Sequence, residues 1–430
     1  MKNLYKLFVV LILVTACSTD LDQAPPNIAS SDSLTDFEGV LNAAYWYQTG
    51  SVTPLAIMGD FRSDNTRFDE SPHDEFDDFD GGVTSMEGDF FRPFYASLYK
   101  SILSSNSVIE NSFNTTHIGE AKFLRALSYF KLVRVFGDVT INLSGAPSAS
   151  DQSILARQPV NSVYSQIVSD LNAAITALDN TGVSLGRASQ IAAKALLGKV
   201  LLEQGEFSNA ASELASVITM ASSLGISLKP NFADVFASDL NSEIIFATQL
   251  STSISVSDYS GDGFDVWYSG GNTKADEIPV NLDLINAFDS SDSRRSASIE
   301  AGNQVATKYS VLGADQDWIE LRLADVILMY SEALNESGSS SSALIELNKI
   351  RTRAGLLSLT STDAAVLRQS IQDERRLELA FEGHRWFDLV RSNSVNAEMG
   401  ETISSSYYLF PIPTSEIFSS DGIITQNDGY

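Results

Sequence analysis

The sequence predicts a mainly α-helical fold: a scaffold of tetratricopeptide-like helix pairs that carries long irregular loop insertions and little β structure. Apolar residues recur at helical spacing on both sides of a Gly-Ser break at 337–342, which is typical of two antiparallel helices. Residues 188–221 repeat this pattern, and Gly205 and Ala210 have the same offset as Gly338 and Ala343. Two segments with the same spacing predict helix pairs that stack on each other.

The other predicted elements lie before, between and after these pairs. Helical spacing predicts further helices at about 34–47, 90–113, 118–136, 160–178, 282–288 and 363–381. Residues 243–249 (EIIFATQ) predict a short strand. Segments 50–90 and 228–317 lack helical periodicity, so we expect them to be insertions that carry function. Pro411 and Pro413 favour an extended strap over 408–430 that lies across the helices.

The N-terminus predicts export and lipid attachment. Residues 1–16 have a basic start and then an apolar run, Leu7 to Val14, which is far shorter than the ~20 residues of a membrane-spanning helix. They are therefore predicted to be a signal peptide. Cys17, the sole cysteine, ends a lipobox-like Val-Thr-Ala-Cys, and the alternative is an ordinary signal peptide with a chance cysteine. Residues 17–31 then form a lipidated tether, and 32–430 form one domain.

The amino-acid composition limits the classes of ligand that we expect. The formal net charge is -27, with 55 acidic against 28 basic residues. Such a charge disfavours nucleic acid and anionic membrane surfaces as partners. An acidic surface suits a neutral ligand, although it more often serves only solubility.

Two groups of acidic residues could carry chemistry. Glu374, Glu378 and Glu382 share one helix face, and paired carboxylates are what a glycosidase needs. Arginines interleave with them, however, so an ion-pair network is favoured and we expect no enzyme. The acidic stretch 69–80, and Asp258 with its neighbours at 262 and 265, could offer oxygens to a structural calcium ion. Neither follows the calcium-loop rhythm, and no other cofactor or metal is expected.

Aromatic residues in the second insertion are the best ligand-binding candidates. A sugar ring presents an apolar face that stacks on flat side chains, while its hydroxyls need polar partners. Trp267 is the first candidate, followed by Tyr259, Tyr268 and Phe264, all within a glycine-rich stretch. The remaining tryptophans are predicted to be core residues, because each lies in or beside an apolar helical pattern: Trp46, Trp318 and Trp386.

Long segments resemble a known family. RLADVILMYSEALNE, ALIELNKIRTRAGL and ERRLELAFEGHRWFDLVR resemble the C-terminal signature of the SusD/RagB family. GEAKFLRALSYFKLVRVFGDV resembles its second-helix motif, with Thr140 where the family usually has proline. The motif with Arg62, Asp64 and Asn65 resembles one near the family's binding face, which adds these residues to the candidates.

The resemblance implies a function. SusD/RagB proteins are surface lipoproteins of Bacteroidota that bind nutrients for a TonB-dependent transporter. By this resemblance we expect an outer-membrane, lipid-anchored cell-surface protein that captures oligosaccharide or polysaccharide and passes it to a SusC-like transporter without covalent chemistry. One alternative is a related binder of peptide or another non-sugar nutrient. The other is a surface glycosidase that uses Glu374 and Glu378.

Overall fold

Long helices form the first part of the molecule. The structure is a computed structural model that describes residues 37–68, 71–147, 154–251, 263–268, 280–302, 304–309, 311 and 315–430. Residues Glu38–Tyr430 form one compact unit. The first helices are α1 (Glu38–Gln48), α2 (Val52–Ala56), α3 (Arg92–Asn111) and α4 (Thr115–Phe136). The side chain of Asn114 caps α4 by accepting hydrogen bonds from two backbone N–H groups of its first turn.

The first predicted insertion, 50–90, folds into the core. Ile57–Phe61 forms a π-helical turn, and 3₁₀ turns follow at His73–Phe76 and Gly81–Met86. The side chains of Phe61, Phe76 and Met86 are at most 1% exposed. A segment without helical periodicity is therefore not a surface loop here, because its aromatic residues fill the core between longer elements.

The first clear helix pair follows a short β ribbon. Strand β1 (Val139–Thr140) pairs antiparallel with β2 (Arg157–Gln158), and helix α5 (Val160–Ala177) comes next. The pair itself is α6 (Gln190–Glu203) and α7 (Phe207–Leu224). A Cβ on Gly198 would lie 2.5 Å from the Leu214 side chain, so glycine permits the close helix approach that the repeat spacing predicted.

The second predicted insertion contains short elements. Strand β3 (Ile244–Thr248) confirms the predicted strand, and it precedes α8 (Phe264–Tyr268), α9 (Leu282–Ala287) and α10 (Arg295–Ser298). Strand β4 (Ile299–Glu300) pairs antiparallel with β5 (Val305–Ala306). Strand β6 (Trp318–Arg322) then pairs antiparallel with β3, with Thr248 opposite Trp318.

The second helix pair and the strap complete the chain. The remaining helices are α11 (Leu323–Glu336), α12 (Ser340–Arg353), α13 (Ala364–Glu378), α14 (Arg385–Arg391), α15 (Val395–Glu398) and α16 (Thr414–Ser419). The strap lies against α4, where the Phe410 N–H donates to the Val135 carbonyl at 2.9 Å. It is not extended throughout, because α16 begins directly after Pro413, a favourable position for helix initiation.

A buried ion network joins the end of α13 to the small sheet of β3 and β6. Arg322 of β6 donates to the carboxylates of Glu243, Glu378 and Glu382 at 2.7–2.9 Å, and its side chain is 1% exposed. Buried charges persist only when they are paired in this way. Among the helices of the described ranges, none combines the length and apolar character that crossing a membrane requires.

Candidate functional site

A pocket opens beside the first helix, where three distant segments meet. Its walls come from the exposed side of α1, from the loop that precedes α6, and from the end of β3. The cavity holds about 280 Å³, close to the smaller end of ordinary ligand pockets. We name it the Trp46 pocket. It is lined by Asn42, Tyr45, Trp46, Gln48, Thr49, Leu185, Gly186, Arg187, Phe246, Ala247, Thr248, Gln249, Leu250 and Ser251.

Trp46 supplies the flat apolar surface of this pocket. The core-facing residues of α1 are Leu41, Ala44 and Gln48, whereas Trp46 is half-buried. Its ring meets the Tyr47 ring edge-on at 5.1 Å between centroids. A half-buried indole in a pocket is suited to stacking against an apolar ligand face, because it is held in place while part of it remains accessible.

Arg187 and Asn42 form a polar wall that Tyr45 and Glu120 hold in place. The Arg187 guanidinium donates to Glu120 Oε2 at 2.7 Å and to Asn42 Oδ1 at 3.0 Å, and it lies 4.9 Å from the centre of the Tyr45 ring. The Tyr45 hydroxyl donates to Glu120 and accepts from the Ala188 N–H at 2.8 Å. Burial, and then the charge of Glu120, raise the pKa of Tyr45, so its hydroxyl stays protonated.

Gln249 also lines the pocket, and its position depends on a glycine. Its side-chain amide donates to the Leu185 carbonyl at 2.9 Å. Gly186 has a φ of 66°, and a Cβ there would lie 1.8 Å from Gln249 Nε2. Glycine is therefore required at this position both for the left-handed backbone and for the close approach of Gln249.

The floor of the pocket rests on a buried polar network. The Thr248 hydroxyl donates to Glu320 at 2.7 Å, and Lys131 Nζ donates to the same carboxylate at 2.5 Å. Lys131 also donates to the Gln48 side chain at 3.2 Å. Gln48 in turn donates to Ser101 and Ser128 on α3 and α4. The pocket is thus fixed to the long helices of the scaffold by satisfied hydrogen bonds.

The described aromatics of the predicted site lie in the core. Trp267 and Phe264 are 5% and 1% exposed, because they lie on the inner side of α8, which is a helix rather than an extended loop. The Trp267 ring meets His73 and Phe90 edge-on at 5.2 and 5.7 Å. Phe264 meets Trp318 at 5.1 Å. The structure therefore gives both rings a packing role instead of the predicted ligand contact.

The polar members of the predicted site are also occupied by the protein. Arg62 is 0% exposed, lies among the rings of Phe79, Trp386 and Phe410, and donates to two backbone carbonyls. Asp64 pairs with Arg385 at 2.7 Å. Asn65 is 0% exposed and accepts from Arg376. These three residues tie the first insertion to the C-terminal helices, so a direct ligand contact is not supported for them.

Other predicted residues lie outside the described part of the chain. Tyr259 and Cys17 are not among the described residues, and of Tyr268 only the backbone is described. Ligand binding by the two tyrosines and lipidation of Cys17 remain predictions, as do the boundaries of the signal peptide and the tether.

Comparisons with known proteins agree with this fold along the chain. A model of the SusD family matches residues 289–403, and a model described as starch-binding associating with outer membrane matches residues 21–202. Together the two cover well over half of the chain. It belongs to the SusD/RagB family.

Relatives of the SusD/RagB family align over the whole length. SusD-like protein P2 of Formosa agariphila is 27% identical, with all of both chains covered. Among solved structures, a laminarin-binding SusD-like protein has 26% identity and a TM-score of 0.76, covering 92% of this chain and 99% of its own. Surface glycan-binding protein A from Bacteroides fluxus has 21% identity and a TM-score of 0.77, over 92% and 99% of the two chains. The last likeness supports the fold alone.

The suspected carboxylate pair of this SusD/RagB chain is not arranged for catalysis. Glu374 and Glu378 are 1% and 0% exposed. Burial alone would raise the pKa of Glu378, but Arg353, Arg322 and Arg294 outweigh it and hold that pKa well below its usual range. Because both carboxylates are enclosed and paired with arginines, neither can reach a glycosidic bond, so the structure does not support the glycosidase alternative at this pair.

Metal binding finds no support in the described part of the chain. Within those residues, no three or more His, Cys, Asp or Glu side chains are grouped so as to hold a metal ion. Asp258 and Asp262 lie outside them, so the structural calcium ion remains a prediction.

Sequence reasoning missed the Trp46 pocket, although one signal was present. We predicted Trp46 to be a core residue because it neighbours an apolar pattern. On a helix, Leu41, Ala44 and Gln48 lie on one face, and Trp46 lies away from them. The partners Arg187 and Gln249 are over 130 residues away in sequence, and no local pattern connects them to α1.

Proposed function

We propose that this chain is a cell-surface glycan-binding lipoprotein that captures oligosaccharide or polysaccharide and delivers it to a SusC-like TonB-dependent transporter. The Trp46 pocket is the observation that supports the binding role. It combines a half-buried indole with three side-chain amides and a guanidinium, the groups that contact sugar faces and hydroxyls. The laminarin-binding relative, which is similar over 92% of this chain, supports the same class of ligand.

The proposed role is binding without covalent chemistry. Of the lining residues that the structure describes, none is an acid, a histidine or a cysteine. The hydroxyls of Tyr45 and Thr248 are engaged with buried carboxylates rather than with a general base that faces the cavity. The site can hold a sugar, but it offers neither a proton donor with a suitable pKa nor an activated nucleophile.

The test of binding is affinity electrophoresis in gels that contain a polysaccharide. The chain without residues 1–17 should be retarded by at least one polysaccharide, and Trp46→Ala should weaken that binding by about 30-fold, or ~2 kcal/mol, as expected for a central aromatic contact. Phe113→Ala is the matched control, because Phe113 is a fully exposed aromatic residue that does not line the pocket. Retardation that survives Trp46→Ala would refute this site.

The lipid anchor and the transporter partner need separate tests. Cys17 is the proposed site of acylation, so Cys17→Ser should move the chain from the outer-membrane fraction to the soluble fraction. The acylated chain should copurify with a TonB-dependent transporter from detergent-treated outer membranes. A chain that stays membrane-bound after Cys17→Ser, or one that purifies without a transporter, would contradict these parts of the proposal.

A further inference from the structure

We infer that the Trp46 pocket selects uncharged glycans and rejects glycans that carry carboxylate or sulfate groups. This inference rests on the proposed function, because it names the chemical class of ligand for the same site. The inference is based on the described charged groups at the pocket, each of which is paired with an opposite charge of the protein.

Among the described residues of the lining, a single side chain is charged. That side chain is Arg187; the other lining residues are apolar, amides, hydroxyls or glycine. An anionic sugar would therefore have to bind through Arg187. Sugar hydroxyls, in contrast, need neutral donors and acceptors, which the lining amides of Asn42 and Gln249 supply.

Arg187 is already paired with a buried carboxylate. Its Nε donates to Glu120 Oε2 at 2.7 Å, and the Glu120 side chain is only 6% exposed. An incoming carboxylate could reach only a guanidinium whose positive charge Glu120 already balances. It would place a second negative charge beside a single positive one, so the new contact would gain little net attraction.

The layer beneath the pocket is neutral as well. Lys131 and Glu320 form a buried pair at 2.5 Å, and Lys131 makes its other hydrogen bonds to Gln48 and Ser51. The positive charge of Lys131 is therefore balanced by Glu320, and this pair does not attract an anion into the pocket. Beside the pocket, Lys100 lies 5.7 Å from the centre of the Tyr47 ring, and Tyr47 is not a lining residue.

The rest of the molecule reinforces this discrimination. The whole chain has a formal net charge of -27, which repels a polyanion at long range. Arg62, which could have formed a local cationic patch, is enclosed by aromatic rings and is 0% exposed. A neutral pocket on an acidic protein thus favours uncharged sugar polymers through both short-range and long-range forces.

The experiment compares neutral and anionic polysaccharides with the chain lacking residues 1–17. The neutral probes are laminarin, xyloglucan and starch, and the anionic probes are alginate, pectate and carrageenan. We expect binding to a neutral probe that Trp46→Ala weakens, and that changes less than about twofold between roughly 20 mM and 300 mM NaCl, because no net charge is exchanged. We expect no Trp46-dependent binding to an anionic probe.

A charge-insertion variant makes the test sharper. Leu185 lies on the rim and is 63% exposed, so Leu185→Lys adds a cation without a buried partner and without disturbing the core. It should raise affinity for alginate about two- to fivefold at low salt, the strength of one exposed ion pair, and high salt should abolish the gain. Leu185→Gln is the matched neutral control and should give no gain.

The outcomes separate this inference from the proposed function. Salt-sensitive binding of an anionic glycan by the unaltered chain, lost in Trp46→Ala, would overturn the selectivity and leave glycan binding in place. Absence of binding to every probe, or binding indifferent to Trp46→Ala, would overturn the proposed site and the selectivity together. A Leu185→Lys variant that gains no alginate affinity would also count against the selectivity, because charge would then not be what limits anion binding.

Discussion

Replacing Trp267 by alanine should destabilise the protein without removing a ligand contact. Its side chain is 5% exposed and lies between His73 and Phe90. Truncating a buried tryptophan costs ~3–5 kcal/mol, because the lost ring leaves a cavity that its neighbours fill only in part. The two edge-on ring contacts are part of that loss, each contributing about 0.5–1.5 kcal/mol.

The loss can be read as a melting temperature. Unfolding entropy is ~2.1 cal/mol/K per residue, or about 0.8 kcal/mol/K for the compact unit, so the melting temperature should fall by about 4–6 °C. Calorimetry measures this, and urea unfolding gives the free energy independently. Trp267→Phe keeps an aromatic ring in the same space and should lose less stability.

Glycan affinity is the second measurement on the same variant. At a temperature where Trp267→Ala is still folded, its binding of a retarding polysaccharide should match that of the unaltered chain. Unchanged stability together with lost glycan binding would refute the packing role and restore Trp267 as a ligand contact, as the sequence first predicted.

The remaining predictions concern backbone, pH and charge. Gly186→Ala should weaken glycan retention by displacing Gln249, whereas Gly205→Ala, which has a similar φ of 73° but open space around its Cβ, should cost only ~1 kcal/mol of stability and leave retention unchanged. Burial, reinforced by a neighbouring lysine, lowers the pKa of His384 to about 3. The neutral, buried imidazole therefore contributes its full share of stability above the unfolded pKa of ~6.5, and this share is lost as the pH falls from there toward 3. Between pH 7 and 5, the midpoint of urea unfolding should decline less in His384→Gln than in the unaltered chain. Glu378→Gln leaves arginine partners uncompensated and should lower unfolding free energy by ~3–5 kcal/mol, while neither form releases reducing sugar. Hydrolysis abolished by this variant would contradict the structural role.

The helix-pair scaffold was predictable because its rules are local. Gly205 and Gly338 end helices with positive φ, and Ala210 and Ala343, five residues later, are fully buried where paired helices touch. Each of these features involves residues within a few helical turns of each other, so the periodicity of the sequence reveals it. The same reasoning found β3, but it could not show that β3 pairs with residues 318–322, because that pairing is decided over 70 residues of chain.

The exposure of the candidate ligand-binding residues was predicted less well, because exposure is a tertiary property. Phe264 and Trp267 occur among glycines, which indicated a surface loop, yet they are three residues apart and point to one side of the short helix α8. Arg62 is buried because Phe79, Trp386 and Phe410 surround it. Two of these rings are more than 300 residues away, so the motif around Arg62 shows a polar cluster but not the rings that enclose it.

The Trp46 pocket lies where helix α1 of the scaffold meets the start of the second insertion, and this location has a physical consequence. Trp46 lies on α1, and Gln48, one half-turn further along the same helix, is bonded to Ser101, Ser128 and Lys131 on the two longest helices nearby. A site whose supporting residues are fixed by buried hydrogen bonds loses little conformational entropy when a ligand binds. The aromatic residues of 57–91 stabilise the fold from the inside, whereas the proposed pocket combines the half-buried Trp46 and Arg187 with the buried end of β3. The division between packing and proposed binding therefore does not follow the boundary between helices and loops.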